Sequence, residues 1–193
     1  MILTRSLERT ELGSKVLLLP PNTYHFTVFG GINEKSLKRG MTGKWRDDIG
    51  KTDIELDDVN RSMIEKIYAA IDSGNLHVPK IKFKVVGIEG TFGIMLSLEP
   101  STKADLEKFT ELSYKLSEIT GIKLSQKQIE NLGNMHMTMA YAYKELTDQE
   151  KADIDDYVNK HGKGMIGQEV IVDSIEYSIF DDMLAFPTVI EVQ

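Results

Sequence analysis

The chain has 193 residues, 41% of them hydrophobic and 27% charged, which suits one domain with its own core. It has no cysteine, so disulfides, thiolate metal sites and cysteine nucleophiles are excluded. Its net charge of −7 argues against gripping long duplex nucleic acid by its phosphates, but a local basic pocket can still hold a small anion.

The N-terminal "MILTRSLERTELGSK" is polar and lacks a signal-peptide core. The "VLLLPP" at 16–21 is far shorter than the roughly 20 apolar residues of a membrane span. These features predict a soluble, cytoplasmic protein with no membrane partner. A short strand is predicted at 16–19, and "TYHFTVF" (23–29) as a second strand ended by Gly30-Gly31. Val59, Met63, Ile64, Ile67, Ala70 and Ile71 recur at helical spacing, so 57–73 reads as an amphipathic helix stopped by Ser73-Gly74-Asn75. "KIKFKVVGIEG" (80–90) and "FGIMLSLEP" (92–100) alternate as two strands around a turn at Gly90-Thr91.

Ser101 or Thr102 caps a helix that runs to about Thr120 and closes at Gly121. "NMHMTMAYAY" (134–143) reads as a strand. Thr147 caps a helix through about Lys160, closed by Gly162. "QEVIVDSIEYSIF" (168–180) and "LAFPTVIEV" (184–192) read as a final hairpin around Asp181-Asp182.

Strand, helix, strand, strand thus appears twice, over 23–99 and 134–192. Each half opens on His-x-Thr: His25 and Thr27 in "YHFTVF", His136 and Thr138 in "MHMTMAY". Residues i and i+2 of a strand share a face, so each His lies beside its Thr. Tyr24, Phe26 and Val28, like Met135, Met137, Met139 and Tyr141, fall on the opposite, apolar faces. If the halves are related by a pseudo-twofold axis, the two His/Thr faces can meet across a cleft.

Two imidazoles and two hydroxyls suit phosphodiester hydrolysis without a metal or other cofactor. Imidazole exchanges protons near neutral pH, so one can act as base and the other as acid. Threonine hydroxyls can donate to the non-bridging phosphoryl oxygens, where charge must be stabilised. A single His-x-Thr is more often structural. The pair at equivalent places in a repeat is what tips the balance.

The paired motif resembles the 2H phosphoesterase superfamily. "LPPNTYHFTVFGGI", with Arg39 and Trp45 downstream, is similar to one branch of it. The resemblance spans roughly residues 15–192 and implies an α+β, bilobal, pseudo-twofold fold. Each lobe would be an antiparallel sheet with helices, and the lobes would flank a central cleft. The chain is then one bilobal domain over 1–193, with a first lobe of about 15–100 and a second of about 101–193. It is expected to be a monomer. The resemblance also implies catalytic roles for His25, Thr27, His136 and Thr138, and metal-free action on 2′,3′-cyclic phosphates or 2′-5′ or 3′-5′ linkages. RNA end processing, cyclic-oligonucleotide hydrolysis and nucleotide binding without catalysis are the other functions this site would fit.

The first half is longer. From His25 to Ile88 is 63 residues, against 39 from His136 to Ile175, and the surplus falls at about 31–54. Lys35, Lys38, Arg39, Lys44 and Arg46 lie in this insert, with no acid between 35 and 46, together with the only tryptophan, Trp45. Cations for phosphate and an indole for stacking suit a base-bearing anion. Arg39, Trp45 and Arg46, with Tyr141 at the cleft border, are the expected binding residues for a small nucleotide or short oligonucleotide. His77 lacks a hydroxyl at +2, and His161 sits at a helix C-terminus where a cation favours the dipole, so both read as structural. No spacing suggests a metal site.

Overall fold

Among residues 81–142 the predicted alternation becomes a sheet. The computed structural model describes residues 6–30, 56–91, 93–142, 145–179 and 187–193. The insert at 31–54, including Arg39, Trp45 and Arg46, lies outside the described residues, as do Asp181 and Asp182 of the last turn. Five strands pair antiparallel in the order β1-β4-β3-β2-β5. They are β1 (Val16–Leu18), β2 (Ile81–Glu89), β3 (Gly93–Pro100), β4 (Met135–Ala142) and β5 (Glu169–Val172). A second sheet pairs β6 (Ile175–Ser178) with β7 (Thr188–Val192). The five-stranded sheet therefore interleaves both halves of the sequence. The run 168–180, predicted as one strand, is split at Asp173-Ser174 between the two sheets.

One face of the large sheet is the core. On β2, Ile81, Phe83, Val85 and Ile88 are buried, and Lys82 and Lys84 are exposed. This is the alternation expected of a sheet covered on one side. Helix α2 (Lys103–Thr120) covers that face, with Phe109 edge-on to Phe83 at 5.4 Å. Helix α4 (Asp148–His161) covers the far end of β2, where the Asp155 carboxylate accepts from the Gly90 amide at 2.9 Å.

Helix α1 (Leu56–Asp72) buries Val59, Met63, Ile67 and Ala70, the face read in the sequence. It packs on α2, and the second sheet reaches it through the Tyr177 hydroxyl, which donates to the Asn60 side chain at 2.9 Å. Burial pushes the Tyr177 phenol above its ordinary range.

The helix ends follow the sequence. The Thr102 hydroxyl caps α2, and left-handed Gly121 closes it. The Asp105 carboxylate accepts from the Thr102 hydroxyl at 2.6 Å and from the Lys82 amide at 3.1 Å, tying α2 to β2. Those two hydrogen bonds, the first above all, hold its carboxyl below the usual range. Thr147 and Glu150 make a reciprocal capping box on α4. A short α-helix that was not predicted is α3 (Gln126–Glu130), opened by a capping box of Ser125 and Gln128. It has no buried residue, so no apolar period announced it. Among the described residues no helix is long and apolar enough to cross a membrane.

Candidate active site

The second motif lies where the sequence puts it, on β4. His136 is opposite Ser97 on β3, and Thr138 is opposite Met95. Met135 and Met137 are opposite Leu98 and Leu96, which are core residues. His136 and Thr138 therefore share the face of the sheet away from the core. His136 is exposed, while Thr138 is only 7% exposed. Among the described residues, neither the His136 ring nor the Thr138 hydroxyl has a hydrogen-bond partner. The Thr138 residue is mostly covered, yet its hydroxyl is not a buried unpaired atom and keeps a donor at the surface.

The alternation does not persist along β4. The register slips between Ile94 and Met95, leaving Met139 unpaired in a bulge. Beyond it, Ala140 pairs with buried Ile94 and so faces the core. Tyr141 is thereby turned to the open face, the side of His136 and Thr138, rather than joining the methionine stripe as strict alternation requires. Its β3 partner is Gly93. Gly93 has φ of +134°, and a Cβ there would lie 2.1 Å from the Ala140 carbonyl oxygen. Only glycine fits this close crossing.

The first motif departs from its expected form. Strand β1 runs beside β4, and the Leu19 amide extends the ladder by donating to the Met139 carbonyl at 2.9 Å. Residues Pro21–Thr23 then form a 3-10 turn. Residues 24–29, predicted as strand, lie outside any ladder of the described residues, and the chain bends at Val28 and Phe29. Proline at 20 and 21 supplies no amide hydrogen to continue the pairing, and the turn draws the chain off the edge. Phe26 stacks on Phe83 at 5.0 Å, so its segment is anchored on the helix-covered face. Phe26 takes the apolar role that alternation gives it; the ladder is what fails.

His25 is half-buried and Thr27 exposed. The His25 Nδ1 is 2.8 Å from the Thr23 carbonyl oxygen. A carbonyl only accepts, so Nδ1 carries the proton and donates it. The Thr27 hydroxyl has no partner among the described residues. The structure thus groups His136, Thr138 and Tyr141 on one open face and carries His25 and Thr27 on a separate irregular segment.

Two further positions belong to this face. Ser97, half-buried, faces His136 across the ladder, and Gly87 lies opposite Ser97 on β2. A single strand does not reveal its partner, so neither was legible in the sequence. A lone hydroxyl in apolar "FGIMLSLEP" was the signal available for Ser97. His77 is exposed, and His161 stacks on Tyr157 at 4.4 Å near the end of α4. Among the described residues no three His, Asp or Glu side chains cluster as a metal site requires.

With this geometry in place, the comparisons with known proteins are specific about fold and coarser about activity. Residues 1–92 match the family model 2H-phosphodiest, Domain of unknown function (DUF1868). That stretch contains the first His-x-Thr and the insert, and it bears out the 2H resemblance read from the sequence. The match supports phosphoester hydrolysis in general. A crystal structure of a conserved protein of unknown function from Agrobacterium tumefaciens str. C58 superposes with a TM-score of 0.64 at 15% identity. The superposition covers 98% of this chain and 76% of that one. At that identity it speaks for the fold alone, an α+β arrangement of antiparallel sheets and helices. No curated protein matches the chain.

Proposed function

We propose that the chain is a metal-independent phosphodiesterase that hydrolyses a small nucleotide or oligonucleotide diester, either a 2′,3′-cyclic phosphate or a 2′-5′ or 3′-5′ linkage. His25 and His136 serve as general base and acid, and Thr27 and Thr138 hold the phosphate. The observation that carries this reading is the unpartnered hydroxyl of Thr138, on a residue itself mostly covered, beside an exposed His136, in a motif the sequence repeats at His25 and Thr27.

One imidazole takes a proton from water as the water oxygen bonds to phosphorus. The P–O bond to the leaving oxygen breaks, and the second imidazole gives that oxygen a proton. The hydroxyls donate to the non-bridging oxygens as charge grows there. Each proton transfer contributes about 10²–10⁴-fold. Arg39, Trp45 and Arg46 bind phosphate and base from the insert, and Tyr141 borders the cleft. The protein works as a cytoplasmic monomer.

The test is a panel of 2′,3′-cyclic nucleotides, 2′-5′ and 3′-5′ oligonucleotides and cyclic di- and trinucleotides, assayed in excess chelator. Turnover of at least one class without metal is expected. A strict requirement for added divalent metal contradicts the mechanism, and affinity without turnover on every member makes the chain a binding module.

A further inference from the structure

The open face of the sheet is uneven. At the level of His136 it steps from imidazole to Ser97 to Gly87, so side-chain bulk falls to nothing two strands away. Strands lie about 4.8 Å apart, so this row gives roughly 10 Å of low floor leading away from His136, longer than one phosphate group fills. The floor is uncharged. Glu89 and Met95 edge it on one side, and Glu99 with its cross-strand partner Lys84 on the other, by their places in the ladders. Both carboxylates are exposed. At the far end Val86 is 42% exposed, an apolar step beside Gly87. The Ser97 hydroxyl has no partner among the described residues.

These features select a ligand chemistry. The Glu89 carboxylate repels a second phosphate at one edge, Glu99 at the other is offset by the Lys84 opposite it, and both carboxylates accept hydrogen bonds from sugar hydroxyls and base amino groups. The exposed valine offers a surface to a ring. We propose that the His136–Ser97–Gly87 row is a trough for the second nucleoside of a diester, so that the preferred substrate carries a nucleoside on each side of its phosphate. Ser97 is the positioning residue that holds the group next to the phosphate. The proposal rests on the phosphodiesterase reading above. It adds a preference for dinucleoside monophosphates over 2′,3′-cyclic mononucleotides.

Gly87 makes the trough testable. A Cβ built there meets Ser97 at 3.4 Å, ordinary contact, so a side chain can be added without forcing the backbone. The measurement is equilibrium binding of a dinucleoside monophosphate and a 2′,3′-cyclic mononucleotide, each with one negative charge, to wild type, Gly87→Val and Ser97→Ala. Wild-type turnover of both is followed in parallel. In Gly87→Val the dinucleoside should bind at least about tenfold more weakly, while the cyclic mononucleotide stays within about twofold. Ser97→Ala should weaken the dinucleoside about three- to tenfold, as loss of one hydrogen bond does.

Should valine itself disturb the sheet, Gly87→Ala gives a smaller step in the same direction. Equal affinity of the dinucleoside for wild type and Gly87→Val overturns the trough, as does failure of wild type to bind it. Selective weakening without wild-type turnover upholds the trough and overturns the hydrolase reading.

Discussion

Glu150 shows how much one side chain can do at a junction. Its carboxylate accepts from the Thr147 amide at 2.8 Å and from the Thr147 hydroxyl at 2.9 Å, and it pairs with the Lys15 ammonium at 3.0 Å. These contacts, the amide hydrogen bond first, lower its pKa from 4.5 to about 2. A depressed carboxyl stabilises the fold above its unfolded value, and that stability is lost as pH falls from 4.5 towards 2. Glu150→Gln should therefore lower Tm at neutral pH and show a flatter fall in Tm across that acid window than wild type. Parallel curves for the two proteins would remove Glu150 from the account.

At the same scale, Trp45 is proposed to stack on a base, so Trp45→Ala should raise KM several-fold more than it lowers kcat. An unchanged KM would take the indole out of the binding site.

Strand β4 is the element that decides the geometry. Its first half was legible in the sequence, because Met135 and Met137 alternate with His136 and Thr138 and the sheet honours that pattern. Its second half was not, because a bulge adds a residue without changing composition, and Tyr141 changes sides. The signal was a glycine in the neighbouring strand. Gly93→Ala would place a methyl 2.1 Å from the Ala140 carbonyl oxygen at a φ of +134°. It should cost about 1–3 kcal/mol or more in chemical denaturation, as strained backbone does. Wild-type stability in that variant would show that the bulge can be given up.

Residues 24–29 failed as a strand for a different reason. Alternation specifies which side chains face the core, and Phe26 does reach Phe83, but it does not supply a partner for the backbone. The turn at Pro21–Thr23 had already taken the chain out of the β1 ladder.

For the whole molecule, the repeat in the sequence pointed to two similar halves, and the two His-x-Thr motifs were found through it. The structure uses those halves to build one five-stranded sheet from both, with β4 between β1 and β3 and β5 beside β2. Such pairings join residues far apart in sequence, which no local pattern encodes. The candidate site inherits this property. Its motifs were readable one at a time, whereas the row from His136 through Ser97 to Gly87 exists only once three strands are side by side.

The central claim is that both imidazoles transfer protons in one reaction, and kcat of His25→Ala and His136→Ala on the preferred substrate of the panel tests it most directly. Each variant should stay folded by circular dichroism and turn over at least about 100-fold more slowly than wild type, the contribution expected of an acid or base. Near-wild-type kcat in both variants would contradict the account.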